Sequence, residues 1–208
     1  MNKLFIIGLP RTGTTSVSVA LLEHDFKVAH TAYTKRAFEL ADVISDTPCF
    51  CDYRQLDQLF PQSKFVYLDR GLINWLPSMQ RLLNKMRVHL VKNTGQFNPI
   101  LKRCFENTFA ISTIKGPIEY KHLEACYLNH QQSVFEYFSG REDCLNIDIS
   151  QPRSLEKLLN FLARPTEGVK EFPRLNVGKQ VDSWKEFKHM NKVNSNSAGK
   201  EHRKYFDY

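Results

Sequence analysis

The fold is decided by residues 5–16, which read FIIGLPRTGTTS. An apolar run ends at Gly8, and a turn of small and polar residues leads into a helical pattern. This order is typical of a loop that binds a phosphate group at a helix N-terminus. Gly8 and Gly13 have the G-x-x-x-x-G spacing of an ATP-binding P-loop, but Thr14 stands where that loop has its lysine. The sequence therefore predicts an anion site of a different kind.

Length and composition predict one domain with a sizeable core. The chain has 208 residues, of which 42% are hydrophobic. It contains no run of about 18 apolar residues of the kind that crosses a membrane. The first residues have one lysine and a very short apolar run, which does not fit a signal peptide. We expect one α/β domain over residues 1–190 and a basic polar tail, looped or frayed, over residues 191–208.

Charge and cysteine usage limit the partners. The net charge of +7 at pH 7 favours an anionic partner. No basic face interleaved with aromatic residues is evident, so we expect neither a nucleic acid nor a membrane as partner. The five cysteines form no C-x-x-C pair, which predicts free thiols in a reducing compartment, the cytoplasm, and no metal site. The oligomeric state stays open.

Alternating patterns predict an α/β fold, in which a central, mostly parallel sheet is flanked by helices as a P-loop-like three-layer sandwich. The predicted strands are Leu4–Ile7, Lys27–His30, Lys64–Leu68 and Cys144–Ile149. The predicted helices are Thr14–His24, Lys35–Val43, Tyr53–Phe60, Leu72–Val91 and Ser154–Ala163, with a helical middle over residues 98–140 and a turn over Ile44–Pro48. Ligands of such sheets bind at the carboxyl ends of the strands. The loop and Arg70 should therefore face one cleft.

The loop offers several groups that suit an oxyanion. Backbone N–H groups at a helix N-terminus point toward one place, and Arg11 adds a permanent charge that can donate two hydrogen bonds. Hydroxyl donors come from Thr12, Thr14, Thr15 and Ser16. Without a lysine at position 14, the loop suits a shorter anion than a nucleoside triphosphate, without a metal. A plain strand–helix turn is the structural alternative, and it leaves Arg11 unexplained.

These residues resemble the sulfotransferases that use 3′-phosphoadenosine 5′-phosphosulfate (PAPS). The 5′-phosphosulfate loop of that family has the pattern P-[KR]-[ST]-G-T-T, which residues 10–15, PRTGTT, match. The family binds the 3′-phosphate with an arginine at a strand end and a serine eight residues later, a spacing that Arg70 and Ser78 have. The segment Phe172–Lys179 resembles the family's closing segment and adds three candidates, Arg174, Gly178 and Lys179. The resemblance spans roughly residues 3–180.

The resemblance implies a reaction. PAPS would be the co-substrate, the desulfated nucleotide (PAP) the product, and a hydroxyl or amine of a small molecule or glycan the acceptor. Arg11, where many members have lysine, would stabilise charge on the leaving phosphate. Aligning Pro48 with a proline of the family puts Asp46 at the position of the catalytic base, and His30 is the alternative base. The structural alternatives are an aspartate that caps a turn and a packed histidine.

Other assignments stay open in the sequence. Phe97, Phe105, Phe109 and Tyr120 either line an apolar acceptor pocket or belong to the core. His130 is expected to make a structural hydrogen bond first. A kinase with a divergent P-loop is a second candidate function, but Thr14 in place of lysine is unfavourable for it. A non-catalytic anion-binding protein on the same fold is a third.

Overall fold

The structure is a computed structural model that describes residues 2–169, 171–173, 183–198 and 206. The strands are β1 (Leu4–Ile6), β2 (Val28–Ala29), β3 (Val43–Ser45), β4 (Lys64–Asp69) and β5 (Cys144–Asp148). The helices are α1 (Thr14–Glu23), α2 (Lys35–Leu40), α3 (Cys49–Leu59), α4 (Leu72–Leu90), α5 (Pro99–Phe109), α6 (Tyr120–Tyr137), α7 (Ser154–Phe161) and α8 (Ser183–Glu186), with a 3₁₀ turn at Ile111–Thr113.

The described strands form one parallel sheet in the order β2-β3-β1-β4-β5. Phe5 of β1 lies opposite Ile44 of β3 on one side and Phe65 of β4 on the other. The chain therefore starts at the centre of the sheet, moves to one edge, and crosses to the other half after β3. The carboxyl end of β1 lies at this switch in direction, where parallel α/β sheets bind their ligands. The predicted α/β class with a parallel sheet is confirmed.

Strand β3 corrects the sequence prediction. The helix predicted to reach Val43 ends at Leu40, and the segment predicted to lead into a turn contains a buried strand, Val43–Ser45. This strand lies between β2 and β1 and bonds to both. Three residues are too few to show a period of two. Pairing with strands distant in sequence, which no local pattern contains, decides the conformation.

Side chains of β1 alternate between the two faces of the sheet. Leu4 and Ile6 pack with α1 and α7 in one core cluster, whereas Phe5 and Ile7 pack with α2 and α3 in another. A third cluster lies among α3, α4, α5 and α6. It includes Phe105 and Phe109, both buried, with Phe97 packed against it, whereas Tyr120 is 45% exposed. Phe105 and Phe109 are therefore core residues rather than the lining of an acceptor pocket, because helix packing covers both rings.

The described part of the C-terminal segment is attached to the sheet edge. The Val28 N–H donates to the carbonyl of Asn191 (3.0 Å), and the Val193 N–H donates to the carbonyl of Val28 (2.8 Å). The segment occupies the open edge of β2, whose backbone groups otherwise lack protein partners on that side. Of the two expected states, looped or frayed, the described residues 191–198 have the looped one. The division of the chain at residue 190 stays a prediction.

The structure can be compared with the expectations on membrane spans and on cysteines. No helix of the described ranges is long and apolar enough to cross a membrane. All five cysteines are free thiols.

Ligand atoms of Cys51, Asp52 and Cys104 lie within 4.8 Å of one another. Both Asp52 oxygens, however, accept N–H groups of Arg103 at 2.9 and 2.7 Å, in a salt bridge that joins α3 to α5. The carboxylate is thus already neutralised by a cation.

Gly8 provides a test of the packing at the end of β1. A Cβ at this position would lie 2.6 Å from Leu68 Cβ and 2.9 Å from the Leu68 backbone nitrogen, so Gly8→Ala forces β1 and β4 apart. We expect the free energy of unfolding, measured by urea denaturation, to fall by about 1–3 kcal/mol. Gly116→Ala is the control, since a Cβ there meets no atom within 4 Å. Equal stability of the two variants would contradict the packing described here.

Candidate active site

The loop between β1 and α1 has a conformation that requires glycine at position 13. Gly13 caps the helix with a φ of 109°, in the left-handed region that disfavours a side chain. A Cβ there would also lie 2.2 Å from Cδ1 of Ile149, and Ile149 is the residue that follows β5. The first turn of α1 contains no acidic side chain. The positive end of the helix dipole therefore faces the cleft without a carboxylate from its own first turn.

Thr12 has a structural role in this loop. Its backbone N–H and its hydroxyl both donate to the carbonyl of Leu9, at 3.2 and 2.7 Å. The side chain is buried and does not line the pocket described next. The assignment of Thr12 as a ligand donor stays a prediction. A hydroxyl this close to a carbonyl three residues earlier closes the turn on itself.

A pocket of about 140 Å³ opens at the carboxyl ends of the first four strands. Most of the residues predicted from the sequence meet in it, although they come from four separate segments. Its lining consists of Pro10, Arg11, Gly13, Thr14, Thr15, Ser16, His30, Asp46, Arg70 and Leu82. Arg174, Gly178 and Lys179 lie outside the described residues.

Arg11 connects the loop after β1 to Arg70 and Ser78, the pair that the sequence predicts to bind a second phosphate. Its backbone has a φ of 73°, and its Nε donates to the hydroxyl of Ser78 on α4 at 2.8 Å. The Arg70 guanidinium donates in turn to the carbonyl oxygen of Arg11 at 2.5 Å. Ser78 is buried and does not itself line the pocket. Hydrogen bonds thus join the loop to Arg70 and Ser78, and Ser78 contacts Arg11 rather than Arg70.

The end of β4 is held rigidly beside the loop. The Arg70 N–H donates to the Tyr127 hydroxyl at 2.9 Å, and that hydroxyl donates to the Asp69 carboxylate. The indole N–H of Trp75 donates to the carbonyl of Pro10 at 2.9 Å. Helices α4 and α6 therefore fix both the arginine and the loop, as a preorganised binding site requires.

Positive charge is concentrated at the pocket. Burial lowers the pKa of Arg11, the nearby charges of Arg70 and Arg81 lower it further, and Asp46 opposes them. Burial likewise lowers the pKa of Arg70, with Asp148 opposing and Arg81 adding to the effect. Both guanidinium groups stay protonated at any ordinary pH. An anion bound here would relieve this repulsion.

Arg81 was not among the residues singled out from the sequence. It is exposed and acts electrostatically on both pocket arginines. The signal that could have found it is helical spacing, because residues three apart on a helix share a face and Arg81 follows Ser78 by three.

Asp46 lies at the end of β3 and turns its carboxylate into the pocket. The hydroxyl of Thr14 donates to its Oδ2 and the hydroxyl of Thr47 to its Oδ1, both at 3.3 Å. Its φ of 58° is in the left-handed region, which aspartate adopts more readily than most residues. Thr14, at the position of the P-loop lysine, thus joins the loop to a carboxylate.

His30 has a different environment from Asp46. It is 8% exposed, and its Nε2 lies 2.7 Å from the Thr15 hydroxyl while its Nδ1 lies 3.3 Å from the Ser45 hydroxyl. Burial lowers its pKa, and the Asp46 charge partly opposes this shift. Both ring nitrogens therefore lie within hydrogen-bond distance of a hydroxyl group.

His130 makes the structural hydrogen bond that the sequence favoured. Its Nε2 donates to the carbonyl of Phe50 at 2.7 Å, which joins α6 to α3. Burial lowers its pKa to about 4, so that the ring is neutral at physiological pH. It does not line the pocket.

Comparisons with known proteins give one family. A family model described as Sulfotransferase domain matches residues 27–181, more than half of the chain. The matched range begins after the loop of residues 8–16, so the loop motif is an observation separate from it. No match was found among curated proteins.

Twenty-two chains among solved structures also match. One of them is described as the Sulfotransferase Domain from the Curacin Biosynthetic Pathway. It is 17% identical, the alignment covers 80% of this chain and 75% of that chain, and the TM-score is 0.49. This likeness is a similarity in fold alone.

The two buried histidines predict a pH dependence of stability. The pKa values of His30 and His130 are lowered from 6.5 in the folded chain, so the unfolded chain binds more protons below that pH. The free energy of unfolding should therefore fall as the pH falls below about 6.5, by up to about 1.4 kcal/mol per pH unit for each histidine. Urea denaturation between pH 7 and pH 5.5 measures this slope.

Variants separate the two contributions to this slope. We expect His30→Gln and His130→Gln each to remove about half of it, because glutamine does not titrate. His122→Gln is the control, since His122 lies on α6 and bonds to the carbonyl of Phe109, away from both. A slope that both variants leave unchanged would contradict the buried, neutral state of these rings.

Proposed function

The chain belongs to the sulfotransferase domain family, and from this premise we propose that it transfers a sulfuryl group from PAPS to a hydroxyl or amine acceptor. Family membership establishes sulfotransferase character in general. The donor, the acceptor and the roles of individual residues are the proposal.

The observation that carries the proposal is the meeting of Arg11, Arg70 and Asp46 in one pocket at the N-terminus of α1. Two guanidinium groups and a helix dipole attract an anion, while a carboxylate at the same pocket can accept a proton. A plain strand–helix turn needs none of these groups.

The donor set of the pocket fits the two anionic ends of PAPS. Thr14, Thr15 and Ser16, together with Arg11, supply hydroxyl and guanidinium donors at the helix N-terminus, which suit the 5′-phosphosulfate. Arg70 supplies a second guanidinium at the end of β4, which suits the 3′-phosphate. Arg11 thereby provides the positive charge that a P-loop draws from its lysine.

Residue roles follow from this arrangement. Bound PAPS supplies a sulfur atom that an acceptor oxygen or nitrogen attacks in line as the bond from sulfur to the 5′-phosphate oxygen breaks. Asp46 accepts the proton that the acceptor loses. Arg11 stabilises the negative charge left on the phosphate by electrostatics and hydrogen bonds, since a guanidinium does not act as a proton donor at neutral pH.

The acceptor class and the cellular setting are part of the same proposal. A small molecule or a glycan with a reactive hydroxyl or amine is the expected acceptor. The free thiols agree with a reducing, cytoplasmic setting.

Calorimetric titration tests the donor. The protein is titrated with PAP, with adenosine 5′-phosphate, and with ATP and Mg²⁺. We expect micromolar PAP affinity that weakens sharply without the 3′-phosphate. Binding of ATP with Mg²⁺ but not of PAP would overturn the proposal in favour of a kinase. Binding of none of the three would leave the loop as a structural turn.

Arg70→Ala tests the 3′-phosphate anchor. Loss of a charge-assisted hydrogen bond should weaken PAP binding by about 1.5–3 kcal/mol, roughly 10- to 150-fold, and adenosine 5′-phosphate binding much less. Arg36→Ala is the control, because Arg36 pairs with Glu39 on the exposed face of α2. Equal losses for both nucleotides would assign Arg70 to holding the loop through the Arg11 carbonyl instead.

Asp46→Asn tests the base. The amide keeps the shape of the side chain but cannot take a proton, so PAP affinity should stay close to wild type while kcat falls by about 10²–10⁴-fold. Sulfate transfer from PAPS to an acceptor found by screening gives kcat, and calorimetry gives the affinity. A wild-type kcat in this variant would remove Asp46 from the base role.

A further inference from the structure

Helices α3 and α5 contact each other through three consecutive pairs of side chains. In the order of α3, these pairs are Phe50–Phe105, Cys51–Cys104 and Asp52–Arg103. The first pair is a perpendicular contact of two rings with 5.7 Å between centroids, and the third is a salt bridge with two hydrogen bonds, at 2.9 and 2.7 Å. The contacts on either side therefore hold the two thiols of the middle pair opposite each other.

The two sulfur atoms of this pair are close to bonding distance. Sγ of Cys51 and Sγ of Cys104 lie within 4.8 Å of each other. A disulfide has about 2.05 Å between its sulfurs, so the two atoms must approach by less than about 3 Å to form one. Side-chain rotation and small helix shifts are the movements available for this approach.

The two thiols differ in exposure and in chemical environment. Cys104 is fully buried, whereas Cys51 is partly exposed and accepts a hydrogen bond from the amide of Asn107 at 4.0 Å. The pKa of the Cys104 thiol is raised, first by a hydrogen bond with Cys51 and then by burial, while the charge of Arg103 opposes the shift. A dissolved reagent therefore reaches Cys51 first, and Cys104 keeps its proton.

We propose that Cys51 and Cys104 are a covalent modification site, at which a small soluble disulfide converts the two thiols into a disulfide between α3 and α5. Cys51 reacts first with the reagent, and Cys104 then completes the bond. Glutathione disulfide is the probe for this class of reagent. The inference rests on the contact between the two helices and is independent of what the pocket binds.

The exchange balances in two steps. Deprotonated Cys51 attacks one sulfur of glutathione disulfide, the S–S bond of the reagent breaks, and the first glutathione leaves as a thiolate that takes up the proton lost by Cys51. The sulfur of Cys104 then attacks Sγ of Cys51, the bond to the second glutathione breaks, and that glutathione takes up the Cys104 proton. Two cysteines are oxidised, and one glutathione disulfide is reduced to two thiols.

The position of Cys51 gives the bond a consequence for the neighbouring pocket. The N–H of Cys51 donates to the carbonyl of Pro48 at 3.0 Å, and the N–H of Phe50 donates to the carbonyl of Asp46 at 3.3 Å. Cys51 thus belongs to the first turn of α3, which follows the pocket residue Asp46 closely along the chain. A disulfide at Cys51 holds this turn against α5.

Mass spectrometry of the wild-type protein tests the pair. The native protein is treated with glutathione disulfide, the remaining thiols are alkylated, and trypsin releases residues 37–54 and 104–115 as one cross-linked product that dithiothreitol separates. Fragmentation distinguishes a bond at Cys51 from one at Cys49, which lies in the same peptide. We expect the bond between Cys51 and Cys104. Glutathione retained on Cys51 without a cross-link, a bond at Cys49, or unmodified Cys51 would overturn the inference.

Serine variants test the order of the two steps. Cys104→Ser should stop at glutathione bound to Cys51, and Cys104→Ala replaces this variant if the buried hydroxyl prevents folding. Cys51→Ser should lose the cross-link and leave the buried Cys104 unmodified. Cys126→Ser is the matched control, because Cys126 is also partly exposed but its Sγ lies 3.6 Å from Nε2 of His122, and its cross-link yield should equal wild type. Glutathione on Cys104 in the Cys51→Ser variant would contradict the proposed order.

Hydrogen exchange tests the consequence for α3. Amides of residues 49–59 should exchange more slowly in the oxidised wild-type protein than in the reduced one, whereas Cys104→Ser treated with the same reagent should show no such slowing. Faster exchange in the cross-linked protein would contradict the holding of this turn. If the wild-type protein binds no PAP, the proposed function fails, while the cross-link and the exchange rates still decide this inference.

Discussion

The hydrogen bond from the Arg70 guanidinium to the carbonyl oxygen of Arg11 is the contact on which the site depends. It joins the end of β4 to the loop that follows β1, at a residue whose φ of 73° lies in the left-handed region. The hydroxyl of Ser78 on α4 accepts a hydrogen bond from Nε of Arg11. The two arginines come from separate loops, and both line the same pocket.

Bringing like charges together has a cost that the fold must offset. Burial disfavours the charged state of both Arg11 and Arg70; the charges of Arg70 and Arg81 add to this effect at Arg11, and the charge of Arg81 adds to it at Arg70. The surrounding contacts of Trp75 and Tyr127 hold them in place all the same. A site that conflicts with ordinary stability rules and is nevertheless held rigidly is typical of a functional centre, where the missing charge comes from the ligand.

Two titratable groups of the pocket differ because their surroundings differ. The Asp46 carboxylate lines the pocket and accepts hydrogen bonds from two hydroxyl groups. His30 is enclosed, burial lowers its pKa, and each of its ring nitrogens lies within hydrogen-bond distance of a hydroxyl group. The sequence placed both as candidates for one role, since residue type alone carries no information on burial.

The sequence by itself determined the parts that short-range patterns encode: the loop of residues 8–16, the strands β1 and β4, and the spacing of Arg70 to Ser78. Backbone turns and helix faces depend on neighbours a few residues away, so a single sequence contains them. Only the tertiary structure decided that Val43–Ser45 is a strand, that Thr12 closes the loop on Leu9, and that Cys51 lies opposite Cys104. These outcomes depend on hydrogen bonds and burial between segments far apart in sequence, or, for Thr12, on the exact turn that such packing imposes, and no local pattern records them.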